Sequence, residues 1–403
     1  MSALRANITR CVIFGAGGLG HALYSSLEEF GVKTDFFIDE NADTFSFCDD
    51  APRLVKPGDP LLQGAGGVAF IALADEGKVE TARRKIPSAF TTVISDRDAI
   101  GDIIRSACNR RHSFRPERCA CCPLLRPDGG GCETLPRVFP NDPLLVPSAG
   151  VLVTSRCNLR CVGCNHLREH FGAEHSYDVP ARLVLGDLEA FLSGVDFLFN
   201  LTVVGGEAFL HPHLDEILLG ISALPKIGRI TLISNGVAMP TDAVLGVLAA
   251  TPRIGVIFSG YDGVLPDALM RRFRAVTERL RGAGVKFKVM IEQEWKDLGG
   301  LSPRPYSAEQ AESIYASCCL KTNDIFDGKL HKCSRSVFGL AAGLFDVPKD
   351  DYVDLRADGV GKAGEASQKM RRAVRRFLAL RSVSACLRCD GTEYGVIKAG
   401  VQG

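Results

Sequence analysis

Cys157-Asn158-Leu159-Arg160-Cys161-Val162-Gly163-Cys164 sets three thiols at C-x3-C-x2-C spacing. Three closely spaced thiolates on one loop can hold three irons of a cubane and leave the fourth iron open to a small chelating ligand. A structural zinc site needs a fourth protein ligand, and the nearest outside donor is His166. The loop follows an apolar run, Val151 to Thr154, and opens a stretch from 149 to about 300 in which strand and helix patterns alternate. Further strands are expected at Leu201 to Val204, Arg229 to Ser234, Gly255 to Ser259 and Val285 to Ile291. Helical periodicity lies between them, at Leu185 to Leu192, Leu214 to Leu224, Ala243 to Ala250 and Leu269 to Ala283. Repeated right-handed crossovers give an α/β barrel or an open part of one, with ligands at the strands' carboxyl ends.

The next three expected strands end in segments that suit a polar ligand. Val203-Val204-Gly205-Gly206-Glu207 combines two glycines, which permit close backbone approach, with carbonyls and a carboxylate that suit an ammonium group. Ile233-Ser234-Asn235-Gly236 and Ser259-Gly260-Tyr261-Asp262-Gly263 end the next two strands. Taken with the cysteine loop, this order resembles the radical S-adenosylmethionine superfamily. The resemblance implies a partial (βα) barrel and a 4Fe–4S cluster on Cys157, Cys161 and Cys164, whose open iron takes the cofactor's amino and carboxylate groups. It further implies cofactor contacts from Gly205, Gly206, Glu207, Ser234, Asn235 and Ser259. Reductive cleavage of the cofactor to a 5′-deoxyadenosyl radical follows, with a flavodoxin- or ferredoxin-type reductant. Two positions depart from the family pattern: Gly163 stands where an aromatic residue is usual, and Ala208 where proline is usual.

A second group, Cys318, Cys319, Cys333, Cys386 and Cys389, lies toward the C-terminus. Asp327-Gly328 is a hairpin signal that can bring Cys318 or Cys319 near Cys333, and Cys386 and Cys389 add a C-x2-C pair. Four thiolates suit either zinc or a fully protein-bound 4Fe–4S cluster. The pattern resembles the one-cluster twitch form of the SPASM auxiliary domain, which implies the cluster. Spacing leaves open which of Cys318 and Cys319 ligates. A basic helix is expected from Lys369 to Leu380, its Lys369, Arg371, Arg372, Arg375 and Arg376 forming a solvated face.

Residues 1–105 read as a Rossmann-like domain. Cys11 to Phe14 is a strand running into Gly15-x-Gly17-x-x-Gly20, a helix follows, and the next strand ends at Asp39. A glycine loop at a helix start receives phosphates, and an acid at the second strand's end contacts ribose. Val12 to His21 and Phe36 to Glu40 also resemble the front domain of bacterial sugar-modifying acyltransferases, which implies a nucleotide-linked sugar; NAD and pure scaffolding stay open. Residues 106–148 form a Cys-rich connector, in which Cys108, His112, Cys119, Cys121, Cys122 and Cys132 could hold zinc or another cluster or remain free thiols. The barrel is expected over 149–300 and the auxiliary domain over 301–403. His166, His170, His175, His211 and His213 straddle the expected site, mostly as solvated or supporting groups.

The bulk properties exclude other classes. The chain has 403 residues, 46% hydrophobic and 24% charged, with net charge +1, so no global field recruits nucleic acid or an anionic membrane. No apolar run approaches the roughly 20 residues of a membrane span, and the N-terminus lacks a secretory signal; a cytoplasmic protein is expected. Fifteen cysteines in a reducing compartment point to metal rather than disulfides. The expected activity is a radical oxidoreductase or isomerase acting on a small molecule, a carbohydrate or nucleotide-linked sugar, by oxidation or epimerisation. A peptide maturase and a non-catalytic iron–sulfur binding or sensing protein are the alternatives.

Overall fold

The computed structural model describes residues 10–16, 18–40, 42, 45–46, 52–63, 67–73, 76–111, 142–172, 175–261, 263–291, 294–318, 320, 322–357, 364–391 and 395–403. The connector residues His112, Cys119, Cys121, Cys122 and Cys132 lie outside these, as do Gly17, Asp262 and Cys319. The chain divides into two compact units, Met1–Asp142 and Pro143–Gly403.

In the first unit, β1 (Cys11–Phe14), α1 (Gly18–Glu29), β2 (Phe36–Ile38), β3 (Arg53–Val55), β4 (Val68–Ile71), α2 (Val79–Lys85), β5 (Thr92–Ile94) and α3 (Arg97–Arg111) follow one another. The strands form a parallel sheet in the order β3-β2-β1-β4-β5. Strand order reverses beside β1, the switch point at which open α/β sheets receive ligands. Both faces are covered, which is why β1 is apolar at every position. Cys11 and Ile13 join Leu23, Leu27 and Ile104 in one core, whereas Val12 and Phe14 join Leu62, Ala82 and Phe90 in the other.

The second unit begins with β6 (Leu145–Thr154), α4 (Ala181–Ser193), β7 (Phe197–Gly205), α5 (Leu214–Ser222), β8 (Ile227–Ser234), α6 (Asp242–Ala250), β9 (Ile254–Gly260), α7 (Asp267–Gly282) and β10 (Phe287–Ile291). It continues with β11 (Glu294–Lys296), α8 (Ala308–Ser317), β12 (Asp324–Phe326), β13 (Lys329–His331), α9 (Ser334–Ala341), β14 (Tyr352–Asp354), α10 (Glu365–Leu378) and β15 (Val396–Lys398). Strands β6 to β10 are parallel neighbours in sequence order. Right-handed crossovers in that order stack the helices on one face. There Val151, Leu201, Ile230 and Val256 pack with Leu188, Ile217, Leu248 and Leu280. The opposite face is partly polar: Asn200 donates to Thr202 Oγ1 at 3.0 Å, and Thr231 donates to Asn200 Oδ1 at 2.8 Å. Within this unit the sheet is open, running from β14 through β13, β12 and β6 to β10, so it is part of a barrel rather than a closed one.

Strand β6 begins earlier than its sequence suggests, because Pro147 and Ser148 read as a break. Proline is tolerated there because β12 pairs with β6 only at Gly150 and Val151, leaving that edge without a ladder partner at 147. The expected boundary near 300 falls inside one sheet. β12 pairs parallel to β6, and Ile325 and Leu330 share the barrel's main core. The hairpin turn at Asp327 (φ 44°) and Gly328 (φ 71°) is left-handed at both positions, as the Asp-Gly signal predicts. Asp187 on α4 receives the Gly328 N–H at 3.0 Å and both ends of the Arg356 guanidinium, at 2.8 and 2.9 Å, which ties the hairpin to the barrel. On α10, Met370, Val374 and Phe377 are buried, while Lys369, Arg372 and Arg376 are exposed. Among the described residues, no helix is long and apolar enough to cross a membrane.

Candidate active site

Cys157, Cys161 and Cys164 lie on the loop that leaves the carboxyl end of β6. Their apolar bed consists of Leu159, Val237, Tyr261, Leu265 and Ala399. Burial pushes the Cys157 thiol up to about 12, and its closeness to Glu207, Cys164 and Cys161 adds to the rise. Thiolates crowded together in this way need nearby positive charge, which iron supplies. N–H groups already approach the sulfurs: Leu159 N reaches Cys157 Sγ at 3.4 Å, and Gln402 Nε2 reaches Cys161 Sγ at 3.2 Å. The backbones of His166 and Arg168 donate toward Cys164. The donor set therefore fits a thiolate-bound cluster.

The glycine-rich end of β7 locks onto this loop. Gly206 N donates to Thr154 O at 2.9 Å, and Glu207 N donates to Arg156 O at 2.7 Å. A Cβ on Gly205 would lie 2.6 Å from Thr154 O, and one on Gly206 would lie 2.5 Å from Arg156 O. The cysteine loop's own backbone thus excludes side chains at both positions, a reason the sequence did not reveal. Arg156 pairs with Asp178 at 3.0 Å and also donates to the Leu210 carbonyl.

Glu207 is only 1% exposed. One carboxylate oxygen accepts from Phe209 N at 3.0 Å and the other from Asn235 N at 2.6 Å, which joins the carboxyl ends of β7 and β8. Burial raises its pKa to about 7. Asn235 also extends its amide to Asn158 Oδ1 at 2.8 Å and to Cys157 Sγ at 3.7 Å. Ser234 Oγ accepts from Gly236 N at 2.9 Å, and Ser259 lies half-buried near the end of β9. His166 was expected only as a supporting residue. It is half-buried, meets Gly205 O at 2.8 Å through Nδ1 and stacks on Phe338 at 4.2 Å, so it braces the loop against β7 and α9. His211 meets Val179 O at 3.0 Å, and His213 meets Glu216 at 3.1 Å.

Cys318, Cys333, Cys386 and Cys389 line one small pocket, together with Tyr315, Lys332 and Arg335. Cys333 stands at the N-cap position of α9, where the backbones of Ser336 and Arg335 offset part of the rise that burial causes in its thiol. Leu320 N reaches Cys318 Sγ at 3.4 Å, and Gly391 N reaches Cys389 Sγ at 3.3 Å. Burial pushes the Cys333 thiol up to about 12. Among the described residues, no three His, Cys, Asp or Glu side chains group around a single metal ion.

In the first unit, Gly15 (φ 107°) has no room for a side chain beside Ala72 O, and Gly20 has none beside Gly15 O. Asp39 spends one carboxylate oxygen on Ala16 N at 2.9 Å, which shapes the loop ahead of α1. Cys108 lies half-buried on α3.

No family model matches the chain. A stretch of 111 residues is 32% identical to the GTP 3′,8-cyclase of Pelotomaculum thermopropionicum, covering 26% of this chain and 32% of that protein. Over 163 residues the chain is 32% identical to GTP 3′,8-cyclase 2 of Mycobacterium bovis, covering 38% and 44%. The chain therefore spans less than half the length of these relatives. Among solved structures, BtrN in complex with AdoMet and 2-DOIA is 17% identical, covering 64% of this chain and 100% of that one, with a TM-score of 0.38.

Proposed function

We propose that this chain, a member of the radical S-adenosylmethionine superfamily, reductively cleaves S-adenosylmethionine and takes hydrogen from a sugar carbon of its substrate. The observation that carries this reading is the cysteine loop itself: one buried and two half-buried thiols, each met by N–H donors, beside a carboxylate that joins two strand ends. Cys157, Cys161 and Cys164 would hold the catalytic cluster. When bound, a 4Fe–4S cluster with an open iron supplies the electron that breaks the cofactor's sulfonium bond. Gly205, Gly206 and Glu207 keep the end of β7 against the loop. Ser234, Asn235 and Ser259 stand at neighbouring strand ends, where the cofactor's nucleoside would lie. Cys318, Cys333, Cys386 and Cys389 would hold the auxiliary cluster.

The substrate in this reading is a carbohydrate or nucleotide-linked sugar, oxidised or epimerised. Support comes from the first unit, where a glycine loop at a helix start stands at the sheet's switch point. The relatives' activity is named for the 3′ position of GTP, which is also a sugar carbon. Gly17 in that loop would receive a diphosphate. Calorimetry against nucleotide-sugars and NAD tests this: Gly17→Val should abolish sugar-nucleotide binding and leave cofactor cleavage intact. Tight NAD binding, or no binding at all, would remove the sugar assignment.

The cleavage itself is tested on anaerobically reconstituted protein. Wild type is expected to form 5′-deoxyadenosine, and the triple variant Cys157→Ala, Cys161→Ala, Cys164→Ala to form none. Equal rates in the two proteins would refute the assignment.

A further inference from the structure

The chain from Val396 to Gly403 returns to the cysteine loop from the far end of the sequence. β15 pairs antiparallel with β11, Trp295 opposite Ile397. Beyond it, Cys161 and Gln402 form an antiparallel bridge. Val162 N donates to Val401 O at 2.8 Å, and Gly403 N donates to Arg160 O at 2.8 Å. The Gln402 side chain reaches the loop at both ends of its amide. Its Oε1 accepts from Arg160 N at 2.8 Å, and its Nε2 donates to Cys161 Sγ at 3.2 Å. Ala399 is fully buried in the apolar bed beneath the thiols. A Cβ placed on Gly163 (φ 65°) would lie 2.1 Å from Ile397 Cδ1. The space beside Gly163 is filled by a side chain from β15.

We propose that Val396–Gly403 forms a wall of the cluster site, with Gln402 as a positioning residue that orders the loop and tunes the cluster through Cys161. The inference rests on the reading that this loop holds the cluster. An N–H bond to a ligating sulfur withdraws charge from it and stabilises the reduced cluster, so hydrogen bonds to sulfur raise the reduction potential. A small loop carrying three ligands gains order from two added backbone bonds, two side-chain bonds from Gln402 and the Ile397 contact. Ile397 replaces the bulk that a glycine at 163 omits, and the positive φ at 163 suits glycine rather than an aromatic residue.

Two measurements test this separately. In protein without clusters, amide hydrogen exchange at Val162 reports the wall itself. A chain ending at Lys398 is expected to exchange Val162 about tenfold faster than the full chain, as loss of one local bond predicts. In reconstituted full-length protein, Gln402→Glu keeps the acceptor for Arg160 N and removes the donor to Cys161. Its catalytic cluster is expected to titrate at a more negative potential, while the auxiliary cluster's potential stays put. Unchanged Val162 exchange, or an unchanged catalytic potential in Gln402→Glu, overturns the proposal. Failure of the underlying reading shows differently: the wild type would then give no cluster signal that responds to S-adenosylmethionine.

Discussion

Glu207 and Asp324 are both buried acids, yet the fold treats them differently. Glu207 accepts two backbone N–H bonds and thereby holds two strand ends together. Replacing it with Ala strands both donors and opens a cavity. Glu207→Ala should cost about 2–4 kcal/mol in denaturant unfolding, with a matching loss of S-adenosylmethionine retention. Asp324, on β12, has one carboxylate oxygen with no partner, and burial raises its pKa from 3.8 to about 6. The folded state therefore binds this proton more tightly than the unfolded chain. The cost of ionisation is absent below pH 3.8, grows as pH rises and is complete above about 6. Asp324→Asn should stabilise the protein by roughly 2–3 kcal/mol at pH 8 and leave it nearly unchanged at pH 3.5. Equal effects at the two pH values would show that ionisation is not the cause.

At the scale of elements, the site depends on how closely neighbouring strand ends approach. The 2.5 Å gap between a Cβ at position 206 and Arg156 O cannot be relieved without moving backbone. Gly206→Ala should destabilise by about 1–3 kcal/mol and displace the cysteine loop; a crystal structure of the variant would show the shift. The β12–β13 hairpin is held differently, by the Asp187 carboxylate buried between Gly328 N and Arg356. Asp187→Leu leaves the Gly328 N–H without its acceptor and Arg356 with Asp327 alone, at a cost of roughly 1–2 kcal/mol. Cys333 follows β13 directly, so this variant should lose iron from the auxiliary site first; iron analysis of the reconstituted variant checks the order of loss.

At the scale of the second unit, the two cysteine groups are joined by short polar and aromatic contacts. Asn165 donates to Ser334 Oγ at 3.0 Å, and His166 stacks on Phe338 of the helix whose N-cap position Cys333 holds. Two cubanes bring about eight irons per chain. The triple alanine variant of the catalytic loop should retain about half of them. Zinc in the C-terminal cavity after anaerobic reconstitution would contradict the second cluster.

The sequence by itself determined the elements and the candidate ligand sets. The apolar runs of β6 to β10 and the 3.6-residue pattern between them stand out because strands covered by helices must be apolar and their helices amphipathic. The three loop cysteines, Gly205-Gly206-Glu207 and the Asp327-Gly328 turn were legible because each depends on residues adjacent in the chain. Only the tertiary structure decided what depends on distant segments. Pro147 hid the first half of β6, since a proline's tolerance depends on which edge is paired. The joining of β12 to β6 could not be read, because strand neighbours are chosen by shared core rather than by local pattern. The His166 brace and the Gln402 bond to Cys161, 241 residues away, were likewise invisible. Local sequence sets backbone preference and side-chain chemistry, whereas contacts between distant segments form only once burial of the common core has closed the intervening loops.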